Sequence, residues 1–241
     1  MKKFELTRKI LHNNDVLVIP EGVTHVVAPI EIEYGIDMYD MDISEIHLPA
    51  SCEVVNLDSF HDFFFSLKRI VVAPESKYFF SDEDGVLFSA DRKKLIKYPA
   101  NRESDTYRIP DDVEEIASNC FCGTNALKKL YFGKNVKRLS SCSLGNFMLF
   151  ELDRIFIPPT VTELQHHVFD VVIPDHHLYA PNPDVSEYYY PVGVVGGAHG
   201  SAIEEYCKYW NIEFIEWDEN YVDGFYAKPL DELRRKAENW N

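Results

Sequence analysis

Residues 107–121 read YRIPDDVEEIASNCF, and residues 155–169 read IFIPPTVTELQHHVF. Each stretch has an apolar residue at its third position and further apolar residues four, seven and twelve positions later, and proline follows the first of them. A spacing that recurs along a chain is the sequence sign of a repeat architecture. The partial copy and the four full copies are Ile19, Val23, Val26; Leu48, Cys52, Val55, Phe60; Ile109, Val113, Ile116, Phe121; Phe132, Val136, Leu139, Leu144; and Ile157, Val161, Leu164, Phe169.

A second pattern of three apolar residues indicates short strands. Its last two members are separated by a single residue, as in a strand with one buried face, and the proline that often follows ends the strand. One coil cannot bury its own apolar side, whereas stacked coils can. The pattern therefore predicts a solenoid with parallel strands on the concave face and turns and short helices on the convex side. The copies are Ile43, Ile46, Leu48; Leu67, Ile70, Val72; Leu127, Leu130, Phe132; and Leu152, Ile155, Ile157.

These residues resemble the BspA-like (treponemal-type) leucine-rich repeat family over roughly residues 15–215. The stretch 78–99, YFFSDEDGVLFSADRKKLIKYP, is similar to an insertion of that family. Its alternating Val86 and Phe88, a turn at residues 89–92 and the return at residues 95–98 predict a β-hairpin.

Residues 200–215 resemble the closing unit of the same family. Ser201 and Glu204 have the spacing of a capping box, which predicts a helix beginning at about Ala202. We therefore expect a leucine-rich repeat solenoid over residues 1–215 and a separate tail over residues 216–241.

The tail contains a second predicted helix, from Pro229 to Trp240. Proline stands near its start, and Leu230, Leu233, Ala237 and Trp240 share one face. We expect this helix to cap the exposed core of the last coil, because solenoids need their ends covered. The alternative is a helix that binds a partner.

The core positions can be assigned from the repeat. Ile116, Phe121, Leu130 and Phe132 are predicted to be almost fully buried in the middle of the solenoid.

Composition and charge restrict the classes of partner. Lys and Arg total 24 against 40 Asp and Glu, so the formal net charge is −16. A polyanion repels phosphate groups, so neither nucleic acid nor an anionic membrane is an expected partner. No apolar run approaches the roughly 20 residues that cross a bilayer.

The N-terminal residues 1–10 carry an acid and several cations where a signal peptide has an apolar region. We expect a cytoplasmic location with reduced thiols; the family resemblance implies the cell surface or secretion as the alternative.

The five cysteines follow no zinc-binding spacing. Cys52, Cys120 and Cys207 take slots of the repeat where a small apolar residue is buried, whereas Cys122 and Cys142 are expected nearer the surface. We predict that no disulfide forms.

The chain offers weak candidates for metal binding or catalysis. His166, His167, His176 and His177 lie near Asp170 and Asp175, but the repeat places the first pair on a connecting arc and His177 on a strand, so the ligands would not converge. Surface histidines are the favoured interpretation, and a metal site or enzyme using residues 166–177 is the alternative.

Other motifs give no catalytic chemistry either. The glycines of residues 193–200 lack the spacing of a phosphate loop and are interpreted as a turn before the closing helix. No catalytic triad, cofactor motif or paired carboxylates stand out, so we expect neither enzymatic activity nor a cofactor. Residues Tyr188–Tyr190 either cover the core or form an exposed patch, and the sequence does not choose.

The concave strands carry the predicted binding site. Side chains between the buried positions point away from the core, and stacking the coils aligns cations with aromatic residues. We predict a protein-interaction module that binds an unidentified protein with an acidic surface, or an adhesin-like domain if the chain is exported. The alternative is that nearby acids neutralise the cations and nothing binds. The predicted protein-binding residues are Arg69, Val71, Arg108, Lys129, Tyr131, Arg154, Phe156 and Tyr179, with His47, Thr106 and His177 in the same two columns.

Overall fold

The computed structural model describes residues 1–6, 10, 15–27, 43–55, 66–124, 126–145, 153–169 and 193–238. Short strands are the commonest regular elements of these residues, and helices occur only after residue 200 in the part described, apart from the single helical residue Ile10. The strands are β1 (Lys3–Glu5), β2 (Val16–Val18), β3 (His25–Val27), β4 (Glu45–Leu48), β5 (Val54–Val55), β6 (Arg69–Val72), β7 (Phe79–Ser81), β8 (Leu87–Ser89), β9 (Lys94–Lys97), β10 (Thr106–Arg108), β11 (Glu115–Ile116), β12 (Lys129–Tyr131), β13 (Arg138–Leu139), β14 (Arg154–Phe156), β15 (Glu163–Leu164), β16 (Val194–Gly197) and β17 (Phe214–Glu216). The helices are α1 (Ala202–Trp210), α2 (Val222–Ala227) and α3 (Leu230–Glu238), with a 3-10 turn at Glu219–Tyr221.

The concave side contains the four strands that the second sequence pattern predicts, β4, β6, β12 and β14, together with β2, β10, β16 and β17. Strands β2, β4 and β6 form one parallel group, β10 and β12 a second, and β14, β16 and β17 a third. Each strand places a residue in the core, as with Ile70, Leu130 and Ile155. The chain is therefore a leucine-rich repeat solenoid with parallel strands on its concave face, as predicted.

On the convex side the described residues form short strands in addition to the predicted turns. Strands β1, β3 and β5 form a parallel sheet there, and so do β9, β11, β13 and β15. Because the coils stack in register, equivalent two-residue pieces of neighbouring coils lie side by side. Their backbone N–H and C=O groups are satisfied by the next coil instead of by a helical turn.

The predicted hairpin is present and has a third strand. Strands β7 and β8, and then β8 and β9, pair antiparallel, and β9 joins the convex sheet by pairing with β11. Gly85, at a φ of +76°, has no space for a side chain, because a Cβ atom there would lie 2.3 Å from Cβ of Arg69. The Gly85 carbonyl accepts a hydrogen bond from the Ile70 N–H at 2.9 Å. The hairpin therefore lies directly against β6.

The hairpin also divides the core. Leu87 packs into a cluster formed by the N-terminal coils, whereas its neighbours Val86 and Phe88 pack into the larger cluster of the later coils. All three side chains are 0% exposed. Strand β8 therefore lies between the two core clusters and contributes a side chain to each.

Three of the four predicted core residues are buried. Ile116, Phe121 and Leu130 are at most 4% exposed, but Phe132 is only partly buried, so that prediction is wrong. The equivalent slots of neighbouring coils hold the smaller Ile109 and Ile157, both buried. This repeat position buries an isoleucine side chain but does not enclose a whole phenyl ring.

All five cysteines are buried and carry free thiols. The expectation that Cys122 and Cys142 lie near the surface is wrong, since each is 4% exposed. Burial raises the pKa of Cys52 to about 11 and that of Cys120 to about 12. These two thiols are protonated at neutral pH and are poor nucleophiles.

Helix α1 closes the last coil and begins at Ala202, as predicted. Ile203 and Cys207 enter the main core, and the Tyr206 hydroxyl accepts a hydrogen bond from the Val168 N–H at 2.9 Å. The Ser201 hydroxyl donates to the Ala198 carbonyl instead of capping the helix.

Of the glycines before α1, Gly200, at a φ of +72°, lies in the predicted turn, whereas Gly196 and Gly197 belong to strand β16. A Cβ atom at Gly197 would lie 2.7 Å from Cγ2 of Ile203, so this strand needs glycine to approach the helix. No helix among the described residues has the length and apolar character that crossing a membrane requires.

Some predictions fall on residues outside the described ranges. They are those made for Phe60, Leu152, Asp170, Asp175, His176, His177, Tyr179, Tyr188–Tyr190 and Trp240.

Candidate protein-binding face

The N-terminal part of the concave face carries exposed apolar side chains. Leu17 of β2 points into the core, so Val16 and Val18 point outward and are 42% and 61% exposed. The strand register aligns Val18 with His47 on β4 and with Val71 on β6. A column of apolar and imidazole groups therefore crosses three strands.

A charged column runs beside it. Glu45 on β4 lies opposite Arg69 on β6, with 3.6 Å between Glu45 Oε2 and Arg69 Nε. The other oxygen of Glu45 contacts His47 Nε2. The Arg69 side chain is half exposed, and this pair is open to solvent.

Strands β10 and β12 continue the face with a stacked arginine. Arg108 lies opposite Tyr131, and its guanidinium sits 3.8 Å from the centre of the tyrosine ring. Arg108 Nη2 is 3.8 Å from Asp223 Oδ1, and the Tyr131 hydroxyl donates to the same oxygen at 2.7 Å. Partial burial, and then Asp223, raise the pKa of Tyr131. Lys129, opposite Thr106, is half-buried.

Arg154 and Phe156 do not face solvent, contrary to the prediction. Arg154 is 9% exposed and Phe156 only 3%. The Arg154 guanidinium donates to both oxygens of Asp153, at 2.8 and 3.1 Å, and to the carbonyl of Lys228. The Phe156 ring meets the Phe225 ring edge-on, with 6.1 Å between centres. The physical reason is that the chain's own tail covers this part of the sheet.

The tail lies on the concave face and not over the end of the last coil. The predicted second helix exists as α3, but its buried Leu233 and Ala237 join Phe225 and Tyr226 against the concave side chains of β14, β16 and β17. The Tyr226 hydroxyl donates to the Leu130 carbonyl at 2.6 Å. Burial raises the pKa of Tyr226.

Beyond β14, the two predicted columns of outward side chains continue onto a different strand from the one predicted. The strand hydrogen-bonded to β14 is β16, which places Val194 opposite Arg154 and Gly196 opposite Phe156. The sequence assigned those places to His177 and Tyr179, which lie outside the described residues.

Sequence reasoning missed three residues of the tail that contact the face: Asp223, Phe225 and Tyr226. One signal was available in Gly196–Gly197. Consecutive glycines inside a strand mark the close approach of another group, and a Cβ atom at Gly196 would lie 2.6 Å from Cε2 of Phe225.

The histidine pair that the structure describes is engaged in packing. His166 is exposed, and the ring of His167 lies 4.9 Å from that of Trp210. Within the described ranges, no three His, Cys, Asp or Glu side chains converge as a metal site would require.

Comparisons with known proteins agree with this architecture. Residues 100–174 match the family described as BspA type leucine rich repeat region (6 copies). A leucine-rich repeat protein from Eubacterium ventriosum has a similar structure, with a TM-score of 0.52 and 21% identity over 61% of this chain and 37% of that chain. This chain therefore spans little more than a third of that protein.

Two other solved structures are more distant. A leucine rich cell surface protein from Faecalibacterium prausnitzii has 19% identity and a TM-score of 0.35 over 66% of this chain and 57% of its own. The pneumococcal vaccine antigen PcpA has 14% identity and a TM-score of 0.41 over 90% of this chain and 71% of its own. We find no curated protein with a significant match.

The fold is that of leucine-rich repeat proteins. Residues 100–174 are similar to repeats of the BspA type.

Proposed function

We propose that the chain is a non-catalytic protein-recognition module whose partner binds the uncovered part of the concave face. We call this part the open face; it comprises the outward side chains of β2, β4, β6 and β10, namely Val16, Val18, Glu45, His47, Arg69, Val71, Thr106 and Arg108. The observation that carries the proposal is the pair of exposed valines Val16 and Val18, of which Val18 is aligned with Val71 and Val16 with the Glu45–Arg69 pair. Contiguous exposed apolar groups with a polar border are typical of interaction sites.

The charges on the open face favour a partner that brings carboxylates. Arg69 and Arg108 each lie beside one carboxylate of the chain, at 3.6 and 3.8 Å. Ion pairs this exposed contribute at most about 1 kcal/mol, so a partner carboxylate can replace Glu45 or Asp223 at small cost. An apolar group of the partner then covers Val18 and Val71. Binding of this kind weakens as salt rises.

The test uses two matched pairs of variants. Val18→Glu changes the open face, and Val54→Glu changes an exposed valine on the convex strand β5. Arg69→Glu and Arg138→Glu form the second pair, because each arginine is about half exposed and lies 3.6 Å from a cross-strand glutamate. A protein captured from a lysate of the native organism is purified, and its affinity for each folded variant is measured by calorimetry.

We expect Val18→Glu and Arg69→Glu to weaken binding at least about tenfold, the range expected when an interface residue is replaced. Val54→Glu and Arg138→Glu should bind as the unaltered chain does. Equal affinities for both members of each pair, or capture of no protein above a blank resin, would contradict the proposal.

A further inference from the structure

The part of the tail that follows β17, residues 217–238, packs against the coils in a cluster separate from the main core. Phe225, Tyr226, Leu233 and Ala237 pack into the cluster on the concave side, and among the described residues the main core contains none from the tail. The coils can therefore keep their core when the tail leaves. We call the surface beneath the tail the covered face; its residues are Leu130, Tyr131, Arg154, Phe156, Val194, Gly196 and Ile215.

The covered face recognises the tail through side chains and through backbone. The Leu130 carbonyl accepts a hydrogen bond from the Tyr226 hydroxyl, and the Tyr131 hydroxyl donates a hydrogen bond to the Asp223 carboxylate. Tyr131 and Tyr226 also stack with 5.1 Å between ring centres. These contacts require a carboxylate and a phenol three residues apart on one helical turn.

A recess in the sheet accommodates the second aromatic ring. Phe225 is 0% exposed and lies over Gly196, where any side chain would collide with it. Phe156 forms one wall of the recess, and Trp217 of the tail lies 5.6 Å from the Phe225 ring. The covered face is therefore shaped for an aromatic side chain.

We propose that the covered face is a binding site for a short helical segment that carries a carboxylate followed by two adjacent aromatic residues. The tail is its intramolecular occupant, and a partner segment of the same chemistry binds by replacing the tail. This inference extends the proposed function, since it uses the same concave surface. The covered face adjoins the open face at Arg108, so one partner can occupy both.

The exchange has a measurable consequence. A tethered segment acts at an effective concentration on the order of millimolar, so it competes strongly with a free segment. A free peptide should bind the intact chain weakly and should bind much better when the tail is prevented from docking.

The probe is a fluorescent peptide of residues 217–238, and its binding is followed by anisotropy. The double variant Phe225→Ala with Leu233→Ala removes the two tail side chains that are completely buried. Adding Gly196→Ala to that variant also fills the recess. Tyr221→Ala is the matched control, because Tyr221 belongs to the tail but is 67% exposed.

We expect the double variant to bind the peptide at least about tenfold more tightly than the intact chain does. The Tyr221→Ala chain should resemble the intact chain, and the variant with Gly196→Ala should lose the gain. A peptide with Phe225→Ala or Asp223→Asn should bind the double variant more weakly than the natural peptide does.

If the double variant does not fold, Tyr226→Phe carries the test, because it removes one hydrogen bond and keeps the ring. Its affinity for the peptide should then exceed that of the intact chain. The proposal is overturned if no folded variant binds the peptide better than the intact chain, or if Gly196→Ala makes no difference. Either result leaves the open-face proposal unaffected, because the Val18 and Arg69 variants test that face separately.

Discussion

Gly196 shows how one missing side chain determines where the tail docks. A Cβ atom there would lie 2.6 Å from the Phe225 ring, whereas one at Gly224 would lie at an ordinary 3.7 Å from Trp217. We expect Gly196→Ala to lower the free energy of unfolding by about 1–3 kcal/mol through overpacking. Gly224→Ala, inside helix α2, should raise it by about 0.5–1 kcal/mol, because alanine favours the helix. Urea denaturation of both variants checks this, and a similar shift in both would contradict the assigned contacts.

Phe121 and Phe132 differ in burial although both occupy repeat positions. Phe121 is 4% exposed and packs beside Tyr98 and Tyr107, with 5.3 and 6.2 Å between ring centres. We expect Phe121→Ala to cost about 3–5 kcal/mol of stability. Phe132→Ala should cost clearly less, because its ring is only partly buried. Chemical denaturation measures both, and equal losses would show that the burial pattern is wrong.

The buried thiols predict how stability changes in alkali. Burial raises the pKa of Cys52 to about 11, that of Cys120 to about 12, and that of Cys207 as well, from an ordinary value of about 9. Between about pH 9 and 12 the folded chain therefore holds more protons than the unfolded chain, so stability falls as pH rises. We expect the melting temperature to be steady from pH 7 to about 8.5 and to drop above about pH 9. A melting temperature that rises with pH through this range would contradict the burial of these thiols.

At the scale of single elements, most concave strands could be predicted, but β16 and the convex strands could not. The spacing of apolar residues predicts which side of β6 or β12 faces the core. A two-residue strand such as β11 has no such pattern, since its pairing depends on the neighbouring coil and not on its own residues. Its flanking charges do align, with Lys94 Nζ 2.7 Å from Glu115 Oε1 across the sheet.

The tail shows a second limit of sequence reasoning. The stripe Leu230, Leu233, Ala237 correctly indicated a helix with one buried face. An apolar stripe does not indicate which surface the helix contacts. Packing over the end of the last coil and packing on the concave face are both compatible with it. Helix α2 has six residues with a glycine among them, too short for a periodic signal.

The hairpin strand β8 supports a prediction about two cores. Leu87 packs into the N-terminal cluster and Phe88 into the main cluster. We expect Leu87→Ala to increase hydrogen exchange mainly in β2, β4 and β6, and Phe88→Ala to do so mainly in β10 and β12. The pair is matched, because the two residues are adjacent and both completely buried. Identical exchange patterns in the two variants would show that the chain opens as one unit.

At the scale of the whole molecule, the chain joins an acidic solenoid to a tail that covers part of its own concave face. The open and covered faces meet at Arg108 and Tyr131, whose side chains both contact Asp223. Most of the predicted binding residues of the described chain therefore lie either on the open face or under the tail. The sequence could align them into columns but could not foresee that the tail divides them.

The central claim is that recognition occurs on the concave face. Hydroxyl-radical footprinting of the intact chain, with and without its captured partner, tests this claim most directly, because it reports the exposure of individual side chains. We predict that partner binding protects Val16, Val18 and His47 on the open face and leaves Val54 and Tyr209, which are exposed elsewhere, unchanged. Protection of Val54 or Tyr209 without protection of Val16 and Val18 would contradict the account.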